Sequence, residues 1–192
     1  MRWIAFTLTL VAGFLIGLGG TRLAVTRLAE GLSQRIGGWI FIPRIGAAEL
    51  DPYQRARMFV EGFLPLADGE GFFLRATRDS NGHTLEATCT YMLEGVMPAA
   101  RYWSVTVTDR NARLIPNAAE RYGFTSAELI YPHGQPVRIL LSPVAQPGNW
   151  LPLAGEGAMT VTLRFYDTPL SASASVIEPG QVPALIRQEC GA

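Results

Sequence analysis

The chain has no lysine: all sixteen of its basic residues are arginine, balanced by sixteen acidic ones. This excludes a Schiff-base lysine, the phosphate-loop lysine of G-x-x-x-x-G-K and a Ser-x-x-Lys nucleophile pair. Histidine is nearly as scarce, with only His83 and His133, each beside a glycine in turn-like sequence. Zinc and iron sites usually draw on several His or Cys, so no metal site is expected and no cofactor is implied. Neither a Cys-x-x-Cys pair nor a G-x-S-x-G stretch occurs, so the sequence signatures of dithiol redox chemistry and of the serine-hydrolase elbow are missing. Glu86 and Glu94 lie too far apart along one extended segment to act as a glycosidase pair. With no net charge, the chain shows neither a nucleic-acid footprint nor an electrostatic funnel for anions.

What is present is apolar. In 192 residues, 48% are hydrophobic and 17% charged, a composition for one globular domain with a sizeable core. Residues 3–20 carry no charge and are rich in Leu, Ile, Val and Phe, long enough as a helix to cross a hydrocarbon layer of about 30 Å. They form the expected transmembrane signal anchor, residues 1–20. A cleaved signal peptide is the competing reading, but its small-residue cleavage pattern is poorly met by Gly17-Leu18-Gly19. Gly13 and Gly17 have helix-dimer spacing, although small residues scattered in an apolar run give the same pattern. Arg22, Arg27 and Arg35 outnumber Arg2 and the amino terminus, which leans towards a cytoplasmic domain. Against this, large domains translocate largely regardless of charge and two cysteines suit an oxidising compartment. The globular domain is therefore expected on the periplasmic side.

Residues 21–50 read as a stalk, with Leu23, Leu28 and Leu32 on a loose helical period broken at Gly37-Gly38. Asp51-Pro52 then supplies an N-cap and a proline at the first helical position, followed by Tyr53, Ala56, Phe59, Val60 and Phe63 at helical spacing, and Pro65 ends the helix. Beyond it the period becomes two. Residues 71–78 and 84–93 flank the turn cluster Asp79-Ser80-Asn81-Gly82 and suggest a hairpin. In the second segment Leu85, Ala87, Cys89, Tyr91 and Leu93 share one face. Trp103, Val105 and Val107 alternate with polar residues, as do Val161, Leu163 and Phe165. Residues 128–131 and 137–141 add a shorter pair around Pro132-His133-Gly134. Residues 171–175 read as a Ser-rich loop and residues 182–189 as a short helix. The fold class expected is mainly β: a jelly-roll-like antiparallel β-sandwich over residues 51–192, with one transmembrane helix and a few short flanking helices.

Two cysteines in a translocated domain usually pair. A Cys89–Cys190 disulfide is therefore expected, tying the C-terminus to the inward face of a strand. Two buried free thiols are the alternative, favoured if the domain is cytoplasmic.

Four stretches, Trp103-Ser104-Val105-Thr106-Val107-Thr108-Asp109, Asn117-Ala118-Ala119-Glu120-Arg121-Tyr122, Gly148-Asn149-Trp150-Leu151-Pro152 and Leu163-Arg164-Phe165-Tyr166-Asp167, resemble domain of unknown function 1214 in order and approximate spacing. The resemblance implies a jelly-roll-like sandwich and no established activity. Members often carry a domain of unknown function 1254 ahead of this one. Here the anchor takes that place, so a separately encoded protein with that domain is the partner expected, besides the membrane.

The polar residues of these stretches, Asp109, Asn117, Arg121, Asn149, Arg164 and Asp167, are the candidates for a site, with Trp103 or Trp150 available to stack on a ligand. An Arg with an Asp among them could form a bidentate pair holding loops at one end of the sandwich. Structural alternatives stand beside the rest: Asp109 as a turn-maker, Asn117 and Asn149 as satisfiers of loop backbone, and the tryptophans as packing, while His83 and His133 read as solvated turn residues rather than bases. The function expected is a non-catalytic envelope module that binds a protein partner or small ligand. The alternative is an enzyme with a pocket at one end of the sandwich, built from Asp109, Asn117, Arg121 and Asn149 with Trp150 as a wall.

Overall fold

The computed structural model describes residues 2–28, 33–61, 64–67, 69–130, 136–170 and 177–190. Two compact units divide the chain, one of residues 1–33 and 47–64, the other of residues 34–46 and 65–192.

The first unit is helical. Helix α1 runs over Arg2–Leu23 and continues into a π-helical turn, Ala24–Leu28. It is apolar on all sides, none of its residues is buried, and it is long and apolar enough to cross a membrane. Helix α2 spans Pro52–Glu61. Asp51 caps it: its Oδ1 accepts hydrogen bonds from the Tyr53 and Gln54 backbone N–H groups at 2.9 and 3.2 Å. The apolar residues of α2 do not meet a core: Tyr53, Phe59 and Val60 are exposed and Gln54 is buried. Phe63 lies outside the described residues.

The second unit is a two-layer β-sandwich, as the alternation implies. Its strands are β1 (Gln34–Ile36), β2 (Trp39–Phe41), β3 (Gly71–Ala76), β4 (Cys89–Gly95), β5 (Tyr102–Asp109), β6 (Gly123–Thr125), β7 (Val137–Ser142), β8 (Trp150–Pro152), β9 (Met159–Tyr166) and β10 (Ala184–Cys190). One sheet has the order β1-β2-β3-β9-β5-β6 and the other β10-β4-β7-β8. Every pair is antiparallel except β7–β8, which is parallel. That pair makes the second sheet mixed, where a wholly antiparallel sandwich was expected.

Strand β9 shows how the sequence builds the core. Phe165 lies between Phe72 and Trp103, Leu163 between Leu74 and Val105, and Val161 between Ala76 and Val107. All nine are buried, and each large side chain removed from water contributes roughly 1.5–3 kcal/mol. Phe72 and Phe165 stack at 4.9 Å between centroids, and Phe41 meets Phe72 edge-on at 5.6 Å. From the other sheet come Cys89, Tyr91 and Leu93 of β4 with Ile139 and Leu141 of β7, in one continuous cluster. Buried Trp39 donates its indole N–H to the Pro183 carbonyl at 2.7 Å, joining β2 to the approach to β10.

Strands β1 and β2 fall in the stretch read as a stalk, yet they extend the six-stranded sheet. They meet through a two-residue turn with Ile36 opposite Trp39, Gly37 at φ +59° and Gly38 where a Cβ would come within 2.6 Å of the Arg78 carbonyl oxygen.

Three further local expectations are corrected. Residues 182–189 are mostly strand rather than helix: β10 pairs along β4 with Leu185 inward opposite Leu93, and a bulge interrupts the ladder between Arg187 and Glu189. Val182, Leu185 and Ile186 fit a helical spacing, but the open edge of β4 supplies a ladder that only an extended chain can fill. The turn at residues 79–82 forms, with Arg78 bridged to Thr84, yet β3 and β4 do not make a hairpin, because they enter different sheets. Among the described residues 128–130 no strand forms; Tyr131, His133 and residues 171–175 lie outside the described set.

Candidate functional site

The loop between β5 and β6 is closed on itself by Asn117. Its side-chain amide donates to the carbonyls of Arg121 at 2.9 Å and Ile115 at 3.3 Å, and its oxygen accepts from the Arg121 N–H at 3.1 Å. Glu120 takes φ +50° within this turn. The result presents Arg121, whose guanidinium lies 4.9 Å above the Phe124 ring and donates to the Trp150 carbonyl at 3.3 Å. Beside it, Glu128 accepts from the Thr125 hydroxyl and N–H at 2.7 and 2.8 Å. Those two bonds, with the charge of Arg121, hold its carboxyl below the usual range. Arg121, Tyr122, Phe124 and Glu128 line a shallow polar depression of about 420 Å³.

Trp150 and Asn149 stand behind this lip. Trp150 is half-buried and donates its indole N–H to the Ser142 carbonyl at 2.9 Å. Asn149 donates to the carbonyls of Ile130 and Arg138, both at 3.0 Å, and accepts from the Ile130 N–H at 2.8 Å. A second hollow of about 230 Å³ opens against Asn149, lined by Met92, Ile130, Pro136, Arg138, Leu140 and Pro147. On its rim, Arg138 forks onto Glu94 Oε1 at 2.8 and 2.6 Å across the β4–β7 ladder.

The structure thus joins Asn117, Arg121, Asn149 and Trp150 through hydrogen bonds and chain continuity, and leaves Asp109 and Arg164 elsewhere. The Asp109 carboxylate accepts from the N–H groups of Asn111 at 2.8 Å and Arg113 at 2.9 Å, inside its own turn. Arg164 stands half-buried on the outward face of β9, level with Phe73 and Ser104. Asp167, at φ +48°, faces Arg101 at 3.5 Å, both exposed. Trp103 is buried in the core.

One polar cluster escaped sequence reasoning. Asp79 is fully buried; its Oδ1 accepts from the N–H groups of Asn81 and His83, both at 2.9 Å, and its Oδ2 lies 3.2 Å from His83 Nδ1 and 3.4 Å from Arg187 Nε. Burial pushes its pKa up, but the His83 and Asn81 contacts outweigh it and hold the carboxyl below its ordinary range. Arg187 also lies over the Tyr91 ring, 5.6 Å from its centroid, and donates to the Thr84 carbonyl. Its partners are remote in sequence, so no local signal announces it. Among the described residues, no three His, Cys, Asp or Glu side chains gather as metal ligands would.

No curated protein matches the chain. The crystal structure of the VPA0106 protein from Vibrio parahaemolyticus superposes with a TM-score of 0.58 at 18% identity over 71% of this chain, which spans only 35% of that protein. An uncharacterised protein from Burkholderia cenocepacia gives a TM-score of 0.49 at 14% identity, covering 96% of this chain and 44% of its own. The first of these likenesses concerns the fold alone. Residues 70–170, more than half of the sequence, match the family described as protein of unknown function DUF1214, and the chain belongs to that family.

Proposed function

We propose that the protein is a membrane-anchored, extracytoplasmic module that binds a protein partner through the outer face of its four-stranded sheet. The observation that carries this reading is the hollow bounded by Met92, Ile130, Pro136, Leu140 and Pro147, apolar within and edged by the Arg138–Glu94 ion pair. Small-molecule pockets usually enclose about 300–1,000 Å³. At about 230 Å³ this one suits an apolar side chain of a partner better than a whole ligand. Ile130, 67% exposed at its edge, gives the partner a contact to cover. Helix α1 supports the anchor and the Cys89–Cys190 disulfide supports an oxidising compartment. A separately encoded protein with domain of unknown function 1254 is the first partner to test. The enzyme reading draws less support, because Asp109, Asn117 and Asn149 are committed to backbone groups that need them.

The test is purification of the full chain from its own membranes beside two variants, Ile130→Asp in the hollow and Val144→Asp at an exposed control position. A stoichiometric partner retained by wild type and by Val144→Asp but lost by Ile130→Asp supports the reading. Retention undiminished in Ile130→Asp, or no stoichiometric partner at all, overturns it.

A further inference from the structure

Helix α2 carries its amphipathic pattern outward. Tyr53, Ala56, Phe59 and Val60 recur at three- and four-residue spacing, the side a soluble helix buries. Here Phe59 and Val60 are each 80% exposed, whereas polar Gln54, on the other side, is 7% exposed. Leu64, past the end of the helix, is also exposed. A face of this kind needs an apolar cover.

Where the helix sits indicates which cover. Helix α2 packs against the π turn Ala24–Leu28, which continues α1 without a break. Five residues at about 1.5 Å each keep that turn within roughly 8 Å of the end of α1. The interfacial layer on each side of a bilayer is itself about 5–8 Å thick. Helix α2 is therefore held at headgroup depth whenever α1 spans. Tyrosine and phenylalanine are at home there, and an amphipathic helix lying in the interface buries its apolar side about 5–10 Å into the headgroup and acyl boundary.

We propose that the Tyr53, Phe59 and Val60 face of α2 lies in the lipid interface as a second membrane contact. The inference rests on the reading of α1 as a membrane span. Its role is to hold the segment that connects β2 to β3 against the membrane surface.

The full chain, with its disulfide intact, is reconstituted into vesicles of three parts phosphatidylcholine to one of phosphatidylglycerol. Spin labels are placed singly at Phe59→Cys, Val60→Cys, Phe14→Cys and Arg110→Cys, and collision with oxygen is compared with collision with a water-soluble nickel chelate. Labels at 59 and 60 should lose the nickel signal and keep that of oxygen, as at position 14, while position 110 keeps the nickel signal. A lipid-exposed label at 14 with nickel-accessible labels at 59 and 60 overturns the inference and leaves the anchor standing. Labels at 59 and 60 shielded from both reagents point to protein covering the face and likewise overturn it. A nickel-accessible label at 14 removes the anchor, and the inference with it.

Discussion

Cys89 and Cys190 stand directly opposite each other in the β4–β10 ladder, bonded across a Cα–Cα distance of 3.9 Å and a sequence separation of 101 residues. The bridge thus fixes the last residue of an edge strand, β10, to the first residue of its inner neighbour, β4. A loop of that length corresponds to about 4–5 kcal/mol of lost unfolded-state entropy in the chain-entropy model, and removing such a bridge from a small domain costs about 2–5 kcal/mol. The paired variant Cys89→Ala with Cys190→Ala should therefore melt about 10 °C lower, given roughly 2–4 °C per kcal/mol at this size. Thiol labelling of the denatured, unreduced wild-type protein should find no free cysteine. A single labelled thiol contradicts the pairing.

The same disulfide bears on topology. Oxidised pairs persist outside the cytoplasm, so a reporter that works only beyond the membrane should be active when fused after Ala192. A reporter confined to the cytoplasm should be silent at the same position. The opposite pattern reverses the orientation, since the arginines following α1 would then have prevailed over translocation of the domain.

Asp79 predicts a pH dependence. Its pKa is lowered in the folded state, so near pH 4 the unfolded chain binds more protons there and stability rises with pH. The contribution is fully present above the unfolded value of about 3.9 and disappears as pH falls through the lower folded value. The groups facing it are the Arg187 guanidinium and the His83 imidazole. Denaturant unfolding should show Asp79→Asn less stable than wild type at pH 6, with the difference shrinking steadily below pH 4. A difference unchanged down to about pH 2 means that the carboxylate charge contributes nothing there.

How far the sequence carries depends on the range of the interaction. The faces of β4, β5 and β9 were legible because a period of two needs only neighbouring residues, and Tyr91, Leu93, Val105 and Leu163 are inward as expected. The Asp51 cap and the Asp109 turn were equally local. The β10 strand was not, since Val182, Leu185 and Ile186 carry a helical spacing and only the edge of β4 makes the segment extended. Nor was the separation of β3 from β4, because turn chemistry at residues 79–82 bends the chain without specifying which sheet each arm joins. For the site, the sequence offers Asn117, Arg121, Asn149 and Trp150 as a group and Asn149 as a satisfier of loop backbone. Which segments meet there, Ile130 and Arg138 at Asn149 and Trp150 at Arg121, depends on contacts between remote parts of the chain.

That commitment of Asn149 predicts a structural phenotype. Its amide bridges Ile130 and Arg138 on two chain segments and satisfies three backbone groups at once. Truncation in Asn149→Ala leaves those groups without the side chain, at about 1–3 kcal/mol for each that water cannot reach. Asn149→Asp keeps an acceptor for the Ile130 N–H but sets a negative charge against two carbonyl oxygens, so it should be no milder despite its matching shape. Both variants should unfold at lower denaturant concentration than wild type, and both should loosen the 128–130 segment, seen as faster amide exchange at Ile130. A catalytic or ligand-binding Asn149 would behave differently: Asn149→Ala would match wild type in stability and in exchange at Ile130, and that result would move this residue from scaffold to site.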